Sequence, residues 1–405
     1  MGGIVHSKPN SETETEIETE IETEIETPKF FREGTYGCVH KPSLKCKDKT
    51  IISKYDDKIS KIMTKKNALE EMQSYTEINR IDPNNMYHLK TQECVPDYSE
   101  EIKKYIMYCT SGQNIVNDFN NYKLIIMKDG GLDLDSFLKK KMNDTHENRK
   151  RIMDFWIEAV NLFKAVNLLI QEGMVHHDLK PDNIVYNEKH NSLKIIDFGL
   201  LKKKKDIIKD SEQNKYGFSK FHFNIPPELF FYNKHGFDNI EPIKNDKTYL
   251  MSVNILMAFV NSEELHPQLK TDIINGFVDF VNFSVEDRQN KLKYNEFLSN
   301  SIETIDVYGL GFTLMYVLTR VYKLMDPNVV SKLHKLFIDM FHPDLRKRIK
   351  GRDALQQYES IISTLPKFSQ FTSTSTTPTR SVYGGKRNTI TKKRIKKKNQ
   401  TRRRK

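Results

Sequence analysis

Cysteine is scarce in this chain. There are four in 405 residues, Cys38, Cys46, Cys94 and Cys109, and no Cys-x-x-Cys pair. Such usage argues against a structural zinc site or a disulfide framework and suits a reducing interior. No stretch approaches the roughly 18 apolar residues needed to span a bilayer, so no transmembrane segment is expected. The first residues lack the apolar region of a secretory signal. They read Met1-Gly2-Gly3-Ile4-Val5-His6-Ser7, which misses a myristoylation signal by one place because His6 stands where serine or threonine is required. The expectation is an intracellular protein, cytoplasmic or nuclear.

Acid is absent from the last 26 residues: 380–405 carry thirteen Lys or Arg and no Asp or Glu. Residues 1–27 are the reverse, with eight glutamates against Lys8. The formal net charge of +11 therefore leaves 28–379 near +5, an ordinary globular middle between two oppositely charged tails. Residues 11–27, SETETEIETEIETEIET, place too few isoleucines among like charges to offset chain entropy, so 1–28 reads as disordered. Residues 366–405 read as a Ser/Thr-rich linker followed by a solvated polycation. Twelve of residues 386–405 are basic, so non-specific binding to nucleic acid or acidic surfaces is expected of the tail, with a nuclear import signal as the alternative.

The middle changes texture near residue 148. Before it, GTYGCVH and TIISKY read as strand segments, Lys65–Arg80 as a helix, and YKLIIMK (122–128) as a buried strand. After it, Ile152, Phe155, Trp156, Ala159, Val160, Phe163, Val166, Leu169 and Ile170 recur at helical spacing up to Gly173. Residues 306–325, DVYGLGFTLMYVLTRVYKLM, read as a largely buried helix. A small β-rich half thus precedes a larger helical half.

Four pieces carry chemistry. In Gly34-Thr35-Tyr36-Gly37-Cys38-Val39, glycines let backbone N–H groups approach phosphates, although such a turn by itself is usually a plain hairpin. Lys54 ends the apolar IISK and offers a cation for phosphate, with Glu70, Glu71 and Glu77 as carboxylates to hold it. In HHDLKPDN, Asp178 can accept a proton from a hydroxyl, Lys180 can neutralise a transferring phosphoryl group, and Asn183 can hold a metal ion. LKIIDFGL then delivers Asp197, a good Mg²⁺ ligand, to a turn.

In this order the pieces resemble the eukaryotic-type Ser/Thr protein kinase family over roughly residues 30–360. The resemblance implies an α+β, two-lobed fold, with an N-lobe and hinge over 29–131 and a C-lobe over 132–365. It implies ATP and Mg²⁺, with protein hydroxyls as acceptors. Gly34, Thr35, Tyr36, Gly37 and Val39 match the glycine-rich loop, and Lys54 the β3 lysine. Glu71 is chosen as its partner because Tyr75 and Ile78 follow at inward-facing positions. Met127 matches the gatekeeper, and Lys128 to Gly130 the adenine-facing backbone. Asp178 and Lys180 match the catalytic residues, Lys180 in the serine/threonine pattern; Asn183 and Asp197 match the metal ligands. Asp306 matches the aspartate beneath the catalytic loop, and Arg346 the partner of Glu228 in Pro226-Pro227-Glu228. The Gly-Gly and basic C-terminus also resembles tails of large-DNA-virus proteins, which would place the chain in a host cell or a virion.

The departures are specific. Arg32 replaces the first glycine of the loop, Ile52 the small residue over adenine, and Phe221 the threonine near the catalytic aspartate. His177 stands where regulated members carry the arginine that grips an activation-loop phosphate. Its weak charge near neutrality predicts activity without that phosphate, although Lys202–Lys205 could receive one instead. An insertion of roughly 65 residues, about 230–300, is expected, with helices near 248–261 and 268–283. A pseudokinase scaffold tethered by the basic tail and a small-molecule kinase are the alternative readings.

Overall fold

Five strands form one antiparallel sheet in the order β1-β2-β3-β5-β4. They are β1 Lys29–Gly34, β2 Gly37–Lys41, β3 Lys58–Thr64, β4 Thr91–Cys94 and β5 Tyr122–Lys128. The structure is a computed structural model that describes residues 27–34, 37–141, 146–217, 224–239, 293–342 and 344–365. The unit treated below is Met1–Ile362.

β5 is the strand expected from YKLIIMK. Leu124 and Ile126 face one side of the sheet, Ile125 and Met127 the other. Both sides are covered, which is why consecutive residues of this strand are apolar. On one side lies helix α1 (Lys65–Ile81), whose Ala68 packs with Met63, Ile125 and Met127. Its N-cap is Thr64, whose hydroxyl accepts the Asn67 N–H. On the other side lie α2 (Glu100–Ile106) and α3 (Gly112–Asn117), which contribute Ile102, Ile106 and Ile115.

Two expectations fail in this lobe. TIISKY is not a strand: it belongs to the connection between β2 and β3. Ile52 packs there into the outer core with Leu44 and Cys46, so it does not stand over adenine. Ile51 and Ile52 serve to cover the sheet, not to extend it. The expectation against disulfides is also overturned. Cys38 is bonded to Cys109, tying β2 to the segment between α2 and α3, and Cys46 is bonded to Cys94, tying the β2–β3 connection to the end of β4. Partners 71 and 48 positions apart leave no local signature.

The second lobe is helical. After β6 (Leu132–Asp133) come α4 (Leu134–Lys141), α5 (His146–Glu158) and α6 (Val160–Gln171). The apolar run 152–170 is therefore two helices meeting at Ala159. The second ends at Gly173, whose φ of 63° is the left-handed conformation glycine takes beyond a helix terminus. Short pairs of strands line the cleft: β7 (Met174–Val175) pairs with β10 (Lys202–Lys203), and β8 (Ile184–Asn187) pairs with β9 (Ser192–Ile195). Then follow α7 (Lys204–Glu212), α8 (Lys234–Asp238), α9 (Tyr294–Ile302), α10 (Ile305–Val321), α11 (Pro327–Met340) and α12 (Gly351–Ile362). α10 is buried on almost every side, as its apolar composition demands. It is shorter than the expected 306–325, giving way to a 3₁₀ turn at Tyr322–Leu324. The expected helices at 248–261 and 268–283 lie outside the described residues. The flanks of that insertion pack together, with Phe237 against Tyr294 and Phe297 at 5.0 and 5.1 Å between ring centres. Among the described residues no helix is long and apolar enough to cross a membrane.

Candidate active site

The segment after β7 is held from below. Asp306, in the first turn of α10, accepts the backbone N–H groups of His176 at 2.7 Å and His177 at 3.0 Å. Burial pushes the Asp306 carboxyl up from its ordinary range, opposed by charge on His176 and by these two N–H donors. His177 has a φ of 69°, and Asp197 a φ of 61°. Non-glycine residues in that region are strained, and such strain concentrates at functional sites.

Three donors converge on Asp178. Lys180 Nζ lies 2.6 Å from Oδ2, Asn183 Nδ2 lies 2.9 Å from the same oxygen, and Asn224 Nδ2 lies 3.2 Å from Oδ1. The carboxylate direction is thereby set. Asn183 Nδ2 also donates to the Asp178 backbone carbonyl at 2.9 Å. With the amide nitrogen committed to Asp178, the Asn183 oxygen is the atom left for a metal. Together with the Asp197 carboxylate it makes a hard-oxygen donor set, which fits Mg²⁺.

The lysine that faces Glu71 in the cleft is not the Lys54 expected. Lys54 is exposed in the β2–β3 connection and does not line the cleft. Lys61, in the middle of β3, places Nζ 2.8 Å from Glu71 Oε2. Both side chains are largely buried, at 12% and 5% exposure, so water screens the pair little. Burial raises the Glu71 pKa, and the Lys61 charge opposes that rise. Lys61 pairs in register with Val39 of β2, so these two residues sit side by side above the cleft.

The cleft has a volume of about 370 Å³. Of the expected site residues, Gly34, Val39, Glu71, Met127, Gly130, Asp178, Lys180, Asn183 and Asp197 line it. Gly37 and Lys128 do not. A Cβ on Gly37 would lie 2.4 Å from the Ile62 carbonyl oxygen, so this glycine serves close strand packing. Lys128 is exposed, and Asp129 and Gly130 form the wall beside it. A Cβ at Gly130 would meet Val185 Cγ2 at 2.5 Å. Thr35, Tyr36 and Phe221 lie outside the described residues.

An edge-to-face aromatic cluster joins the two lobes behind the cleft. Phe198 contacts His176 at 5.0 Å, Tyr75 at 5.4 Å and His88 at 6.3 Å between ring centres. Tyr75 lies on α1 one turn after Glu71, and His176 lies on the segment anchored by Asp306, so these edge-to-face contacts connect the helix that carries Glu71 to the segment that carries Asp178. His88 was not legible as a site residue, because its place is set by bonds to Asp82 and Asn79 at 2.9 and 2.8 Å.

Two further assignments change. Arg346 pairs with Asp344 at 2.6 Å, and it is Arg348 that meets Glu228, with Nη2 3.0 Å from Oε2 and both residues buried. Lys202–Lys204 are engaged by acids: Lys202 with Asp210 at 4.0 Å, Lys203 with Glu77 on α1 at 2.7 Å, and Lys204 with Glu303 at 2.6 Å. His177 is buried, its Nδ1 3.3 Å from the Val175 carbonyl oxygen. Burial, and then the nearby Lys202 charge, push its pKa down to about 3.

Comparison with known proteins agrees with this geometry. The mouse dual specificity protein kinase TTK is 38% identical over 95 residues, 22% of this chain and 10% of that protein. The Dictyostelium discoideum serine/threonine-protein kinase prpf4B is 28% identical over 186 residues, 45% of this chain and 20% of that protein. The Arabidopsis thaliana CDPK-related kinase 5 is 32% identical over 122 residues, 28% of this chain and 19% of that protein. The match thus spans a fifth or less of each of these relatives' own length. The family model of the protein kinase domain matches residues 29–238, more than half of the chain. With that match laid over the Lys61–Glu71 pair, the Asp178 cluster and the two-lobed fold, the chain belongs to the eukaryotic-type protein kinase family.

Proposed function

We propose that this chain transfers the γ-phosphoryl group of ATP to serine or threonine hydroxyls of proteins, and does so without phosphorylation of its activation segment. The observation that carries the proposal is one cleft shared by Lys61, held by Glu71, and Asp178, held by three donors. The acceptor hydroxyl gives its proton to Asp178 as its oxygen bonds to the γ-phosphorus; the bond from that phosphorus to the β–γ bridging oxygen breaks, and ADP leaves. Lys180 neutralises charge on the group in transit, and Lys61 holds the α- and β-phosphates. Asn183 and Asp197 would hold Mg²⁺, which supplies neutralisation of phosphate charge.

Lys180 two residues after the base supports a serine or threonine acceptor, as do relatives named serine/threonine kinases. Independence from phosphorylation is supported by His177, which is buried with its pKa pushed down to about 3 and so makes a poorer phosphate clamp than a permanently charged arginine. It is also supported by the Lys203–Glu77 pair, which ties the segment after Asp197 to α1 with charges already encoded in the chain. Ser211, one of few acceptors there, is fully buried.

The test uses bacterially produced protein, treated exhaustively with phosphatase, then assayed with labelled ATP and basic substrates bearing Ser, Thr or Tyr. Transfer to Ser or Thr is expected from treated protein and from a Ser211→Ala, Ser219→Ala double variant. Activity that vanishes and returns only on rephosphorylation overturns the independence. Nucleotide binding without transfer would instead favour a scaffold tethered by its tail. For that tail, residues 386–405, we propose non-specific binding to nucleic acid or acidic surfaces, weakening steeply with salt. Unchanged low-salt binding after its deletion overturns this.

A further inference from the structure

Where the glycine-rich loop would begin with glycine, Arg32 reaches across the cleft. Its Nη1 lies 3.3 Å from Asp133 Oδ2 and its Nη2 lies 3.3 Å from Asp182 Oδ1. Both carboxylates belong to the lower lobe. Asp133 also caps α4, accepting the Ser136 N–H at 2.8 Å, and Asp182 directly precedes Asn183. A break in the β1–β2 register between Phe30 and Arg32 inserts Phe31, and both Phe31 and Arg32 then line the cleft. Re-aiming a side chain is what such a bulge does. A second tie lies nearby: Lys41 Nζ at the end of β2 meets Asp129 Oδ2 at 2.6 Å.

We propose that Arg32 is a positioning residue that holds the roof strand onto the lower lobe and so retains the nucleotide. The inference rests on the reading of this cleft as a nucleotide site. A planar guanidinium can bind two carboxylates at once, which a lysine ammonium does less well. Glycine at this position would leave the roof free to lift. With Arg32, nucleotide can leave only after both arms release. Arg32 is 38% exposed and Asp182 45%, so salt reaches the strap and the Asp182 arm is weak, while Asp133 is only 8% exposed.

The experiment is stopped-flow release of a fluorescent mant-ADP from the full chain at increasing salt. For the wild-type chain, release is expected to accelerate about three- to tenfold between low salt and about 0.5 M. Arg32→Gly should release faster by a similar factor at low salt and show little dependence on salt. Arg32→Lys should fall between the two, and Asp182→Asn should show a partial rise. Should Arg32→Gly fail to fold, Asp182→Asn carries the test, because its side chain is half in solvent. Release from Arg32→Gly at the wild-type rate, or with the wild-type salt dependence, overturns the strap alone. No mant-ADP binding by the wild-type chain would overturn the nucleotide reading as well, a distinguishable result.

Discussion

Lys61 Nζ stands 2.8 Å from Glu71 Oε2, and the nine residues between them are what bring them together. β3 carries the lysine to the cleft; α1 starts at once and returns the carboxylate two turns later.

Lys61→Met should therefore abolish phosphoryl transfer, whereas Lys54→Met should leave it within about twofold of wild type, as expected for an exposed loop substitution. Steady-state kinetics on the two variants checks this. Loss in Lys54→Met with activity retained in Lys61→Met would return the phosphate role to Lys54.

Asp178→Asn should lower kcat by about 10²–10⁴ while nucleotide still binds, since it removes the proton acceptor and little else. Asn224→Ala removes one of the three donors to Asp178 and should cost about three- to tenfold in kcat, the worth of one hydrogen bond. The KM for ATP should stay put. A rise in KM with kcat unchanged would show that Asn224 acts on nucleotide instead.

His177 makes stability depend on pH. Its folded pKa, about 3, lies below the unfolded value of about 6.5. The unfolded chain thus binds the proton more readily, and stability present above about pH 6.5 is lost as pH falls toward 3. Denaturation midpoints of wild type and His177→Gln across that window should converge on acidification. A constant difference would overturn the assignment. His177→Arg, which buries a permanent charge, should destabilise by roughly 2–5 kcal/mol.

The two disulfides predict no free thiols in protein denatured without reductant, read by thiol titration. Reduction should destabilise the upper lobe by about 2–4 kcal/mol per bridge and lower the melting temperature. Four titratable thiols in freshly purified, unreduced protein would contradict the pairing.

Where a motif is short and its residues are neighbours in the chain, their gathering at the cleft was legible. Asp178, Lys180 and Asn183 fall within six residues, so local geometry alone gathers them, and Asp197-Phe198-Gly199 is equally compact. β5 was legible to the residue because burial on both faces leaves an unbroken apolar run with clear ends. Asp306 was legible from the short DVYGLG motif, through the family resemblance.

What the chain left open were choices among like residues. Lys54 and Lys61 both follow apolar segments, and Arg346 and Arg348 lie in one basic run. Only packing separates them: Ile52 belongs to the outer core, which puts Lys54 in solvent, and the burial of Glu228 admits Arg348 alone. The cysteine pairs, the Asn224 bond to Asp178 and the reach of Arg32 join residues 46 to 150 positions apart. Local patterning determined the lobes and the compact motifs, because backbone propensity and burial act over a few residues. Tertiary structure decided every pairing across the cleft, because a contact between distant residues exists only once the intervening chain has packed.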